Sequence, residues 1–133
     1  MSEVSGDWIA WIEKAEHDLM AAELLVAGTD PLWDIVAFHA QQAAEKYLKA
    51  FLVLNGEQPP KIHDLPTLVR LCGALAGEFA ELRPDAEFLS PLAVFARYPG
   101  DPDEPSREDA ARGIDIARRI RDCVRQHLPE SDE

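Results

Sequence analysis
The stretch Asp30–Gly56, DPLWDIVAFHAQQAAEKYLKAFLVLNG, decides how this chain folds. Asp30-Pro31 reads as an N-cap followed by proline at the first helical position, where the missing N–H breaks no helical bond. Asn55-Gly56 is a strong terminator. Between them Val36, Ala40, Ala43, Tyr47, Ala50 and Leu54 recur three or four residues apart and draw one apolar stripe. Phe38, Leu48 and Leu52 add a second flank. A helix apolar on more than one side is either central to a bundle or also faces a second subunit. Its alanines at 40, 43, 44 and 50 permit close approach by a neighbour.

Outward from this element the same period continues. Trp8, Ile12, Ala15, Leu19, Ala22 and Val26 predict a helix over about residues 7–27, with Glu13, Glu16, Asp18 and Glu23 off the stripe and Gly28 as a left-handed closing residue. Residues 57–63 form a loop marked by Pro59-Pro60. Asp64 caps a third helix, with Leu65, Leu68, Leu71, Cys72 and Leu75 inward, which ends near Gly77. A fourth covers about 84–95, broken or kinked at Pro91. RYPGDPDEP, residues 97–105, reads as an irregular but stiff connector. Ser106, with Asp109 three residues on, opens the last helix, whose apolar face is Ala110, Ala117, Ile120, Val124 and Leu128. No segment alternates like a strand, and no repeat is visible. The expectation is an all-α, antiparallel up-and-down bundle of about five helices: a single domain over 1–133, with its core at about 8–128 and an acidic flexible tail at 129–133.

Composition narrows the function classes. The chain has 133 residues, 47% hydrophobic and 29% charged, which is globular rather than disordered. Its start, MSEVSGDW, lacks the regions of a signal peptide, and uncharged runs such as Ile35–Ala44 are about half a bilayer span. These features predict a cytoplasmic protein that does not enter a membrane. Cys72 and Cys123, far apart and on helices, read as reduced thiols in the core. The net charge of −12 repels phosphate backbones and disfavours broad DNA binding. Residues 106–128 carry six Arg against four acids, so a local basic face on the last helix stays open, as does one near Lys46 and Lys49.

The chain has no glycine-rich phosphate loop, HExxH, Cys/His zinc pattern or GxSxG elbow, so the sequence assigns no metal, no cofactor and no catalytic residue. One helix face stands out. His39, Gln42, Lys46 and Lys49 share a side of the most apolar helix, flanked by Gln41 and Glu45. Such a ladder is solvated, paired across an interface, or aimed at a ligand, and a solvated stripe is the simplest of the three. In the connector, Arg97 and Tyr98 offer a phosphate clamp and a stacking face. The plainer reading has Tyr98 packing on the bundle end and Arg97 pairing with a nearby acid.

The run HAQQAAEKYLKAFLVLNGEQPPKIHDLPTLV, residues 39–69, followed by ARYPGD at 96–101 and a long final helix, resembles the HEPN family. The likeness spans roughly Trp8 to Leu128. It rests on His39, Gln42 with Ala43, Glu45-Lys46, the His63-Asp64-Leu65 helix start and Arg97-Tyr98-Pro99. The resemblance implies an all-α bundle, commonly a homodimer, often encoded beside a minimal nucleotidyltransferase as a toxin–antitoxin-like pair. Many members are metal-independent endoribonucleases with an Arg-x4-6-His motif near the start of the last helix. This chain departs from that pattern: no histidine follows Arg97, Arg107 or Arg112 at that spacing. Arg121 and His127 satisfy it only at the far end of the helix, where chance suffices.

Such nucleases need a proton carrier near neutrality beside a cation that meets the developing charge. The expected function is therefore a nucleotide- or RNA-associated binding module partnered with a nucleotidyltransferase, its ligand residues drawn from Arg97, Tyr98, Lys46, His39, Gln42 and His63. The alternatives are a dimeric endoribonuclease and a purely structural helical dimer.

Overall fold
A computed structural model describes the backbone of residues 2–97 and 104–129, and side chains within 8–93 and 104–129. Five α-helices form: α1 (Ser2–Val26), α2 (Trp33–Leu54), α3 (Leu65–Leu75), α4 (Arg83–Leu89) and α5 (Arg107–Arg125). Two 3-10 segments, Gly77–Leu82 and Ser90–Arg97, flank α4, and no strand occurs among the described residues. The tail at 130–133 and the connector residues 98–103 lie outside the described residues.

α2 is the axis of the bundle. It packs against α1, α3, α5 and the Ser90–Arg97 segment, and Val36, Ala40, Ala43, Ala44, Tyr47, Leu48 and Phe51 are all buried. This accounts for its apolar character on more than one flank: both flanks are covered within the protomer. Ala43 and Ala44 are fully buried, so they belong to the core rather than to a subunit interface. Each large side chain taken out of water here, Tyr47 or Phe51 for example, contributes about 1.5–3 kcal/mol.

Side-chain pairing shows the helix directions. Asp18 meets His39 and Lys46, and Trp11 lies against Lys49, so α1 and α2 run antiparallel. Glu23 pairs with Arg118 and Glu16 with Arg125, so α5 is antiparallel to α1 as well. Gly113 on α5 lets that helix come close: a Cβ there would sit 3.2 Å from Leu89 Cδ1 and 3.5 Å from Ala40 Cβ.

Several ends form as their residues dictate. Asp64 accepts from the Thr67 N–H at 3.1 Å and caps α3. Ser106 and Asp109 close a reciprocal capping box on α5, both bonds at 3.1 Å. α2 ends as Gly56 takes φ +80°, with Gly56 N–H on Val53 O and Glu57 N–H on Leu52 O, each 2.9 Å.

Other ends differ from expectation. Gly28 is not left-handed; α1 closes through Gly28 N–H on Leu25 O at 3.1 Å. α2 begins at Trp33 rather than at Pro31, and its N-cap Leu32 makes no side-chain cap bond. The break predicted near Pro91 falls where α4 passes into the Ser90–Arg97 3-10 segment. The Gly77–Leu82 segment has too short a period to be seen as a helix, yet it buries Phe79 completely against Phe51, with ring centroids 4.6 Å apart.

Candidate functional site
The polar ladder of α2 is neither a solvated stripe nor one continuous site. It divides into two clusters inside the protomer. In the first, Asp18 of α1 takes His39 Nδ1 on one oxygen at 2.9 Å and Lys46 Nζ on the other at 2.6 Å. All three side chains are mostly covered, so His39 and Lys46 fasten α2 to α1. Asp18, placed off the α1 stripe by its spacing, sits at the edge of the helix–helix contact.

The second cluster is built on Glu45. Its side chain is 5% exposed and receives Lys49 Nζ at 3.0 Å, with Lys49 6% exposed. Burying an ion pair costs several kcal/mol per charge unless the remaining polar atoms are satisfied. Here they are: Gln41 Nε2 and His63 Nδ1 also reach the carboxylate, His63 at 3.1 and 3.0 Å from its two oxygens. Trp11 lies over the Lys49 ammonium at 5.7 Å and screens it from water. Gln41 donates in addition to the His63 carbonyl at 3.1 Å, and Gln42 donates to Gln41 Oε1 at 2.9 Å.

Gln41, Gln42 and His63 of this cluster line a cleft of about 650 Å³ between α2, the start of α3 and the Ser90–Arg97 segment. Phe38, Gln41, Gln42, His63, Asp64 and Ser90 are among its walls. Ser90 Oγ accepts the Leu65 N–H at 3.0 Å and so ties the segment to the start of α3. The His63 side chain is 79% exposed, with its Nδ1 occupied and its ring edge outward. Of the ligand residues chosen from sequence, Gln42 and His63 meet at this cleft, while His39 and Lys46 do not line it. Arg97 ends the segment that forms one wall, but its side chain lies outside the described residues, as does all of Tyr98.

The arginines of α5 form no open basic face. Arg118 places Nε and Nη2 on Glu23 at 3.0 and 2.8 Å, Arg119 pairs with Asp85, Arg121 with Asp122 and Arg125 with Glu16. Arg107 lies over the Trp33 ring, and Arg112 over Phe88 at 3.9 Å. His127 is likewise engaged: Nε2 meets Glu78 at 2.6 Å, and the ring packs on Phe51 and Phe79. Arg121 and His127 therefore pair with different partners. Burial pushes the Cys72 thiol up to about 12, so it is a neutral core group. Among the described residues, no group of three or more His, Cys, Asp or Glu side chains could hold a metal ion, and no helix is long and apolar enough to cross a membrane.

Sequence reading passed over Glu45, Gln41 and Asp18 as site-forming residues. The first two carried a signal: Gln41, Glu45 and Lys49 are spaced by four, with the acid one turn before the base. Asp18 carried none, because its partners lie on another helix.

The HEPN domain family model matches residues 9–127. The fold is similar to TT1696 from Thermus thermophilus, at 27% identity and TM-score 0.74, covering 91% of this chain and 98% of that one. It is equally similar to ST0689, an archaeal HEPN homologue, at 27% identity and TM-score 0.74, covering 92% and 98%. No curated protein matches the chain.

Proposed function
The chain belongs to the HEPN domain family, and from that premise we propose that it is a HEPN-type binding module. It holds a nucleotide or a stretch of RNA in the cleft walled by α2, the start of α3 and the Ser90–Arg97 segment, and it partners a minimal nucleotidyltransferase in a toxin–antitoxin-like pair. The observation that carries this reading is the cleft itself. Its volume suits a small ligand, and its wall combines an aromatic ring, two amides, a hydroxyl and a carboxylate-oriented histidine. Arg97, which ends that segment, and Tyr98, next in sequence, are the cation and the stacking ring of this reading.

The module acts by binding rather than by cleaving RNA. His127, the one histidine at the nuclease spacing, is held by Glu78 and two phenylalanines, far along the final helix from its start. His39 and Lys46 serve to join the helices. The protein works as a cytoplasmic homodimer. The surface that supports pairing is on α1, where Met20 is 56% and Leu24 69% exposed.

Calorimetry with AMP, ATP and a short RNA tests the reading. Arg97→Ala and His63→Ala should each weaken binding roughly ten- to a hundred-fold, the loss of one charge-assisted contact. Unchanged affinity in both variants would place the ligand elsewhere. Metal-independent RNA cleavage lost in His63→Ala would favour the dimeric endoribonuclease instead.

A further inference from the structure
We propose that the cleft recognises the amino-bearing edge of a nucleobase. This rests on the nucleotide-binding reading above and goes beyond it by naming which part of the ligand is read.

The inference comes from the hydrogen-bonding capacity left over once every contact within the cleft wall is made. Both oxygens of Glu45 face His63 Nδ1, and Lys49 Nζ pairs with the same buried carboxylate. A carboxylate can only accept, so Nδ1 donates to it. The amides are ordered in the same way. Gln41 gives its N–H groups to Glu45 and to the His63 carbonyl, so its oxygen accepts from Gln42, and among the described residues Gln42 Oε1 is left as a free acceptor. Asp64 receives both Thr67 donors on Oδ2, which leaves Oδ1 unbonded among the described residues. Ser90 Oγ already accepts from Leu65, so its proton is a donor.

The wall therefore presents acceptors on Gln42 and Asp64 against donors on Ser90 and the second Gln42 N–H. The carboxylates of Asp64 and Glu87 are among the described lining residues. A planar group rich in N–H donors meets complementary acceptors, with Phe38, Pro66 and Pro91 offering apolar faces to its ring. Adenine, guanine and cytosine carry an exocyclic amino group, and uracil does not.

Cytidine and uridine differ at that edge by one amino group, so the pair isolates the effect. Titrating the full chain with cytidine, uridine and their monophosphates should show cytidine binding about tenfold or more tightly than uridine. Asp64→Asn keeps an equivalent N-cap on α3, so it should fold normally and lose the preference for cytidine. Monophosphates that bind while nucleosides do not, or uridine binding as well as cytidine, would overturn the base-edge inference and leave the nucleotide reading standing. Binding of no nucleoside and no nucleotide would remove both.

Discussion

Lys49 and Glu45 form an ion pair of 3.0 Å, one turn apart on α2 and each almost wholly withdrawn from water. Removing one partner leaves the other as an uncompensated buried charge. Glu45→Ala or Lys49→Ala should cost about 3–5 kcal/mol. Replacing both with Leu and Met should cost clearly less than the sum of the single losses. Denaturant unfolding of the three variants reads this directly, and additive losses would show that the charges are not coupled.

Lys46 illustrates how a residue at a suggestive spacing can be committed elsewhere. Its ammonium is 2.6 Å from Asp18, which also holds His39. Lys46→Met should lower stability by about 1 kcal/mol and leave nucleotide affinity within about twofold. A tenfold loss of affinity with unchanged stability would return Lys46 to the binding site.

Tyr47 is fully buried, and among the described residues its hydroxyl has no hydrogen-bond partner. Burial first, and then the charge of Glu16, pushes its ionisation up to about 12. The folded protein therefore resists losing this proton more than the unfolded chain does. Stability from this group is intact below pH 10 and is lost as pH rises from about 10 to about 12, by about 2–3 kcal/mol. Tyr47→Phe should remove that alkaline loss and raise neutral-pH stability by about 1 kcal/mol, since an unpaired buried hydroxyl goes with it. A drop in melting temperature at neutral pH would mean that the hydroxyl is satisfied by water.

His127 anchors the end of α5 through Glu78, Phe51 and Phe79. Glu78 is held below the usual carboxylate range, first by a backbone N–H and then by His127. Stability from a depressed carboxylate is present above its unfolded value and fades as pH falls through the lowered one. His127→Ala should destabilise the fold by about 1–2 kcal/mol at neutral pH, chiefly through lost ring packing, and make its acid unfolding less steep. Its nucleotide affinity should not change, which calorimetry would check.

Leu24 and Met20 leave apolar surface on α1 uncovered, while the equivalent surface of α2 is used up inside the protomer. Leu24→Lys should convert a homodimer to a folded monomer, seen by light scattering with an unchanged helical circular dichroism spectrum. A dimer that survives Met20→Lys combined with Leu24→Lys would place the interface elsewhere.

The helices were legible in the chain of residues, because apolar periodicity and capping chemistry act over a few neighbouring positions. The Asp64 cap, the Ser106–Asp109 box and the left-handed Gly56 all lie where local rules put them. The family was legible too, through the order of His39, Gln42, Glu45-Lys46, His63-Asp64 and Arg97-Tyr98. Which partner each polar residue of α2 meets was decided by packing. His39, Gln42, Lys46 and Lys49 look alike on a helical wheel, yet Asp18 and Glu45 send two of them to α1, one to a buried ion pair and one to a cleft. The reason is range. A cap or a stripe is specified by residues within one or two turns, whereas the partners of these side chains are as far as 28 positions away and meet them only once the helices have packed.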